Sequence, residues 1–351
     1  MTSLDALRPG TGRQSEFAEL AGRIKRAGLL QRRRGYYIVR IILNLLALAA
    51  AGAVFVWLGD SWWQLLTAVL FAVVFTQLSF IGHDAGHRQI FRGRRANDAV
   101  GYFHGGLVGL SYGGWVAKHN QHHVNPNHED DDPDVDIPLL SFTERQSRAK
   151  RGFRRWFAKY QAYLFFPLLL LEGLNLHRSS VHAIRRDALA HRRLEAVLLF
   201  AHAVGYLAAV FAVLSPGLAV AFIAVHQGLW GVYMGCSFAP NHKGMPTLTS
   251  DDSLDYLRRQ VLTARNVRGG RWVDFVLGGL NYQIEHHLFP TMPRPNLRKA
   301  QVVVHRFCLE HDVSYSQCGL LRSYSYVLHH LHSVGAPLRG AGQLPIRPEG
   351  S

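Results

Sequence analysis

The apolar residues of this chain gather into long runs instead of recurring at strand or amphipathic-helix period. Residues 37–57 carry one charge, Arg40, and residues 61–82 carry none. Two further runs follow at 194–214 and 216–240. Each is long enough to cross about 30 Å of hydrocarbon at ~1.5 Å per residue. The short links Leu58-Gly59-Asp60 and Ser215-Pro216-Gly217 join them in pairs. The pattern predicts an all-α membrane protein with four transmembrane helices arranged as two hairpins.

The intervening segments read differently. Residues 100–115 hold six glycines in sixteen positions, too many for a free-standing span, so a partly buried or re-entrant segment is expected. Residues 160–174 are apolar but interrupted by Pro167 and Glu172. A fifth crossing there would divide the histidine clusters described below between two sides of the bilayer, so an in-plane interfacial helix is expected. The chain then divides into a basic N-terminal segment, 1–35, a membrane domain, 36–334, with a helical cap, and a flexible tail, 335–351. The N-terminal segment has a helical stretch around residues 17–30. Its first thirty residues lack the apolar core of a cleaved signal peptide.

Charge sets the expected orientation. The formal net charge is +15, and the mean hydropathy of +0.00 averages greasy runs with very basic segments. Arg23, Lys25, Arg26, Arg32, Arg33 and Arg34 precede the first run, the stretches 88–95 and 145–193 are basic, and the two links hold no Lys or Arg. The positive-inside rule places both termini and the middle segment in the cytoplasm, as expected of a multi-pass protein of the cell (inner) membrane. Positive charge then serves topology and anionic lipid, and no nucleic-acid partner is expected. Cys236, Cys308 and Cys318 make an odd count with no CxxC, which implies neither a disulfide framework nor a zinc ribbon.

Three clusters carry the candidate chemistry: His83-Asp84-Ala85-Gly86-His87, His119-Asn120-Gln121-His122-His123 and Gln283-Ile284-Glu285-His286-His287. On a helix, i, i+3 and i+4 share one face, so each cluster can present its imidazoles to a common metal. All three fall on the expected cytoplasmic side. Without thiolates, and with no HExxH, zinc-finger, iron–sulfur and zinc-hydrolase readings fail. Asp84 and Glu285 read as acceptors of an imidazole N–H more readily than as ligands. His104 and His128 are candidate partners of the second cluster. His202 and His226 read as buried histidines remote from it, and His329, His330 and His332 as a surface group. The acidic run 130–136 lacks the glycine of a calcium loop and reads as a solvated loop, a candidate dock for a basic donor protein.

In this order, and around two hairpins, HDAGH, HNQHH and QIEHH resemble the HxxxH, HxxHH and QxxHH boxes of the integral membrane fatty acid desaturase family, over roughly residues 36–330. The resemblance implies a four-helix stem with a cytoplasmic cap holding a diiron centre. Two iron ions, dioxygen and two electrons would then introduce a cis double bond into a fatty acyl chain carried by CoA, acyl carrier protein or glycerolipid. It assigns the ligands as His83, His87, His119, His122, His123, His286 and His287. His242 is the candidate eighth ligand just after the last span, with Asn241 a weaker one. Gln283 stands where related branches have a histidine, and can ligate directly, through water, or by orienting His287. Arg88, Arg92, Lys118 and Lys243 are candidate contacts for a phosphate-bearing head group. The resemblance also brings an N-terminal cytochrome b5 domain with HPGG, whereas this sequence has 35 residues before its first run and no HPGG. A separate electron donor is therefore expected, a ferredoxin or cytochrome with its reductase. Alternatives on the same scaffold are a fatty acid or alkane hydroxylase and a carotenoid-type oxygenase. From another class, a membrane metal transporter remains.

Overall fold

In the computed structural model, residues 13–186 and 189–340 are described. Residues 1–12 and 341–351, with most of the expected tail and the first part of the expected basic N-terminal segment, lie outside them. The chain opens with α1 (Arg13–Arg26), then α2 (Arg34–Leu58) and α3 (Gln64–Gly86). α4 (Arg94–Val108), α5 (Tyr112–Val124), α6 (Glu144–Ala149), α7 (Gly152–Leu169) and α8 (Glu172–Arg185) precede α9 (Arg192–Val213) and α10 (Pro216–His242). The remainder is α11 (Tyr256–Leu262), strand β1 (Asn266–Arg268), α12 (Arg271–Val276), α13 (Gln283–Leu288), α14 (Arg294–Glu310), β2 (Gln317–Gly319) and α15 (Leu320–Gly335).

Four helices, α2, α3, α9 and α10, are long and apolar enough to cross a membrane by length and composition. α3 and α10 pack along one another at the centre, with half or more of their apolar windows buried, 56% and 50%. The corresponding figures for α2 and α9 are 17% and 6%, so these two present most of their apolar surface outward, Val197 and Phe200 among it. An outward face of that kind suits hydrocarbon and not water. Ser61–Trp63 form a turn ahead of α3, which therefore starts three residues later than the hydropathy run. Gln64, fully buried, donates from Nε2 to the carbonyls of Phe55 (2.6 Å) and Gly59 (2.8 Å), covering acceptors that the end of α2 leaves unpaired. Asp60 accepts from the Ser215 amide (2.8 Å), so the two links meet. Trp57, Trp62 and Trp63 are 68–81% exposed beside them, the placement of indoles at a membrane–water boundary.

The glycine-rich stretch 100–115 is broken into α4 and α5. Gly109 takes a left-handed conformation (φ 71°), and Ser111 caps α5 by accepting from the Gly114 amide. The stretch 160–174 is also split, between α7 and α8, and neither is among the four span-like helices. Outside those helices, α1, α11, α13 and α14 enclose an apolar cluster that includes Leu20, Ile24, Val261, Ile284, Leu297 and Phe307. The all-α expectation missed one feature. β1 and β2 form a two-stranded parallel sheet, pairing Val267 with Cys318. Three-residue strands are too short to show a period of two.

Candidate metal centre

The three boxes arrive on three helices, and a fourth adds His242. His83 lies in the last turn of α3 and His87 caps that helix, with its amide bonded to the His83 carbonyl. α5 turns His119, His122 and His123 inward while Asn120, Gln121 and Val124 face out. The short α13, wholly buried, brings His286 and His287. α10 runs two residues beyond its apolar run, so Asn241 and His242 are its last turn and not a following loop. The imidazoles assemble into two groups. In each, one nitrogen per residue lies within 4.8 Å of the others: His83, His87, His119 and His286 in one, His122, His242 and His287 in the second. His123 lies between them, its Nε2 3.1 Å from that of His119 and its ring stacked on His287 at 4.2 Å.

Hydrogen bonds fix which nitrogen faces inward. His122 donates from Nδ1 to the Asp132 carboxylate (2.9 Å), His287 from Nδ1 to Gln260 Oε1 (2.9 Å), and His242 from Nδ1 to the Thr263 carbonyl (3.0 Å). Each acceptor pins the proton on Nδ1 and leaves an Nε2 lone pair turned into the group, the arrangement that metal-ligating histidines take. In the first group His83 Nδ1 lies 3.3 Å from Asp84 Oδ1. Nε2 of His83, His87 and His287, and both ring nitrogens of His286, are buried without a hydrogen-bond partner. Burial, reinforced by neighbouring imidazoles, pushes His87, His119, His123, His286 and His287 well below the ordinary imidazole value. They are therefore held neutral, as ligands must be. Eight converging imidazoles, several with orphaned nitrogens, fit two metal ions and explain an otherwise costly burial of polar atoms.

The residues left open in the sequence separate clearly. Gln283 points Nε2 at His242 Nε2 (2.9 Å), with its Oε1 3.4 Å from Asn241 Nδ2. Asn241 Oδ1 is buried without a partner. Asp84 is gripped by Arg294 (Nη2 to Oδ2, 2.7 Å). Glu285 turns away from both groups and accepts from Asn266 Nδ2 and Tyr315 OH, each at 2.7 Å. Burial pushes its carboxyl up to about 7, against the opposing pull of those two donors.

Several readings are corrected. The acidic run is not uniformly solvated, because Asp132 is buried and also accepts from the amides of Asn127 and Asp134. Lys118 is paired with Asp134 (2.7 Å), and Lys243 is turned inward, donating to the Asp134 carbonyl and lying over the Phe142 ring. Neither is free for a head group, whereas Arg88 and Arg92 remain exposed. His128 pairs with Asp131, and His104 donates to the Val100 carbonyl. Both stay outside the two groups. His226 is buried with Tyr206 OH on Nδ1. His330 is half-buried and bonded to the Phe142 carbonyl, unlike a surface histidine.

Sequence reasoning missed Asp132, Gln260, Arg294 and Trp115. Trp115 stacks on His119 (4.5 Å, 23°) and reaches His83 at 5.3 Å. Only a glycine at 86 leaves room for it, since a Cβ there would lie 2.5 Å from Trp115 Cζ3. Gly86→Ala is expected to push the indole off His119 and weaken metal retention about tenfold, the scale of losing an orienting partner. Metal analysis of purified protein beside far-UV circular dichroism checks this, with the helical signal expected unchanged.

Comparison with known proteins gives a consistent result. The profile of the family described as fatty acid desaturase matches residues 60–319. The chain is 31% identical to an acyl-lipid (9-3)-desaturase of Physcomitrium patens, over 91% of this chain and 62% of that protein. It is 30% identical to a Delta 8-(E)-sphingolipid desaturase of Kluyveromyces lactis, over 91% of this chain and 59% of the relative. A Delta(6)-fatty-acid desaturase, fat-3, of Caenorhabditis elegans is 29% identical, with 91% and 74% covered. The chain thus spans about 60% of the length of the first two relatives.

Proposed function

The chain belongs to the fatty acid desaturase family, and from that premise we propose that it is an O2-dependent acyl desaturase. It would introduce a cis double bond into a fatty acyl chain carried by CoA, acyl carrier protein or glycerolipid. The balance is CH2–CH2 plus dioxygen, two electrons and two protons, giving CH=CH and two waters. Two iron ions are the proposed cofactor, one held by His83, His87, His119 and His286, the second by His122, His242 and His287, with His123 between them. Bound there, iron supplies the redox chemistry toward dioxygen that removal of hydrogen from an unactivated methylene demands, which redox-inert zinc could not. The observation that carries the reading is the inward set of Nε2 lone pairs, each with its Nδ1 proton held by Asp132, Gln260 or the Thr263 carbonyl.

The chain's own residues hold this set and keep water out. Asp132, Gln260 and Thr263 fix tautomer and ring plane, Trp115 covers His119, and Gln283 and Asn241 line the rim beside His242. We further propose that α2–α3 and α9–α10 are two membrane hairpins, with both termini and the histidines on the cytoplasmic face of the cell membrane. The apolar cluster around α13 and α14 would belong to the cap, and residues 36–334 to one membrane domain. Basic ends of the span-like helices and the joined links at the opposite end support this orientation. Electrons would come from a separate carrier, a ferredoxin or a cytochrome with its reductase, and Arg88 and Arg92 are left as contacts for an anionic head group.

The test is a mass-spectrometric fatty acid profile of cells producing the protein with a compatible electron donor, with double bonds localised by derivatisation. A new unsaturated acid is expected, absent from cells producing the His122→Ala variant. A hydroxy or keto product would move the assignment to a sister oxygenase. One relative's name specifies an (E) double bond, so the geometry of the product is read in the same experiment.

A further inference from the structure

The break between α4 and α5 lies against two of the span-like helices, where its unpaired peptide groups need partners other than water. Side chains from α8 and α9 supply them at both ends. At the end of α4, His177 donates from Nδ1 to the Gly109 carbonyl (2.9 Å), and the His202 ring reaches the carbonyls of Gly106 and Leu107. At the start of α5, the Ser111 amide donates to Ser180 Oγ (3.0 Å). The Glu195 carboxylate, 2% exposed, accepts from Ser111 Oγ (2.5 Å) and from the Gly113 amide (3.1 Å). A carboxylate at that point also meets the positive end of the α5 dipole.

The fit leaves no slack. A Cβ on Gly113 would lie 2.6 Å from Glu195 Oε1, one on Gly114 2.5 Å from Ala183 Cβ, and one on Gly109 2.5 Å from His202 Cδ2. α5 is therefore seated against α8 and α9 by backbone contact. It carries His119, His122 and His123, and so contributes to both histidine groups at once. A one-residue slip of α5 would move all three rings by ~1.5 Å along its axis, enough to take their nitrogens out of either group.

We propose that Glu195 is a positioning residue, which sets the register of α5 and through it the reach of His119, His122 and His123 into both metal sites. The inference rests on the metal reading above and uses none of the desaturation chemistry. The experiment is cobalt(II) titration of metal-stripped, detergent-purified full-length protein, read by the ligand-field spectrum and by affinity. Wild type, Glu195→Leu and Glu195→Gln are compared, with far-UV circular dichroism and size exclusion reporting the fold. Wild type is expected to take up two cobalt ions. Glu195→Leu is expected to bind both about tenfold or more weakly, with altered spectra. Glu195→Gln keeps one acceptor oxygen and should fall between the two, a graded rescue that a bystander position would not give. Wild-type spectra and affinities in Glu195→Gln and Glu195→Leu would overturn the positioning role and leave the metal centre standing. Should Glu195→Leu fail to fold, Ser111→Ala, which removes the hydroxyl donor to the same Glu195 oxygen that the Gly113 amide uses, takes its place, an unchanged spectrum counting against the proposal. Wild-type protein that binds no cobalt would overturn the metal reading and this one with it.

Discussion

Alanine in place of His287 is expected to abolish product formation while leaving the protein inserted in the membrane. His287 is fully buried, its Nδ1 proton is held by Gln260, and its Nε2 has no partner but the space shared with His122 and His242. Truncation removes one of three imidazoles from the smaller group. Loss of a partner that merely orients a ligand costs ~10–100-fold, so loss of the ligand itself should exceed that and bring product below detection. Burial and helix packing elsewhere are untouched, because α13 retains its contacts with α11 and α14. His122→Ala and His83→Ala should behave alike, the latter through the larger group. Exposed His329→Ala should keep full activity. Fatty acid profiles of membranes, normalised to the amount of inserted protein, provide the comparison. Full desaturation by the His287, His122 or His83 variant would falsify the assignment of the metal ligands.

Those histidines were legible because their information is local. Spacings of three and four residues place side chains on one helical face whatever the rest of the chain does, and α5 and α13 present them so. The four span-like helices were legible for the same reason, a run of apolar residues being its own evidence. What escaped were partners brought in from far along the chain. Asp132 sits in a run of acidic residues that reads as solvent-exposed, yet one of its turns folds inward beneath His122. Gln260 has no pattern around it, and the Thr263 acceptor is a backbone carbonyl that no sequence can advertise. The glycines of 100–115 announced a break in the helix but could not say that Glu195, Ser180, His177 and His202 would satisfy it. Lys118 and Lys243 looked like free cations for want of knowing where Asp134 would lie.

The second large effect is expected at Arg294, in stability ahead of chemistry. Its guanidinium is buried and reaches across from α14 to the histidine-bearing end of α3. There Nη2 lies 2.7 Å from Asp84 Oδ2 and donates to the Phe80 carbonyl at 2.7 Å. The Arg294 amide donates to Tyr37 OH, which in turn donates to Gln89. Gly279, at φ 79°, leaves the space that the arginine stem fills, because a Cβ there would meet Arg294 Cγ at 2.6 Å. Arg294→Met keeps much of that volume and leaves the Asp84 carboxylate buried beside His83 with no cation. Breaking a buried pair from one side costs about 3–5 kcal/mol, whereas replacing both partners is close to neutral. Arg294→Met is therefore expected to lower the thermal stability of the detergent-purified protein sharply, and Asp84→Asn added to it to restore most of the loss. The recovery discriminates between causes. If the arginine mattered only as packing or as a donor to the Phe80 carbonyl, the second substitution would rescue nothing. Because Asp84 also holds His83, the rescued double variant should still bind metal less tightly than wild type, separating the contribution of this pair to the fold from its contribution to the centre.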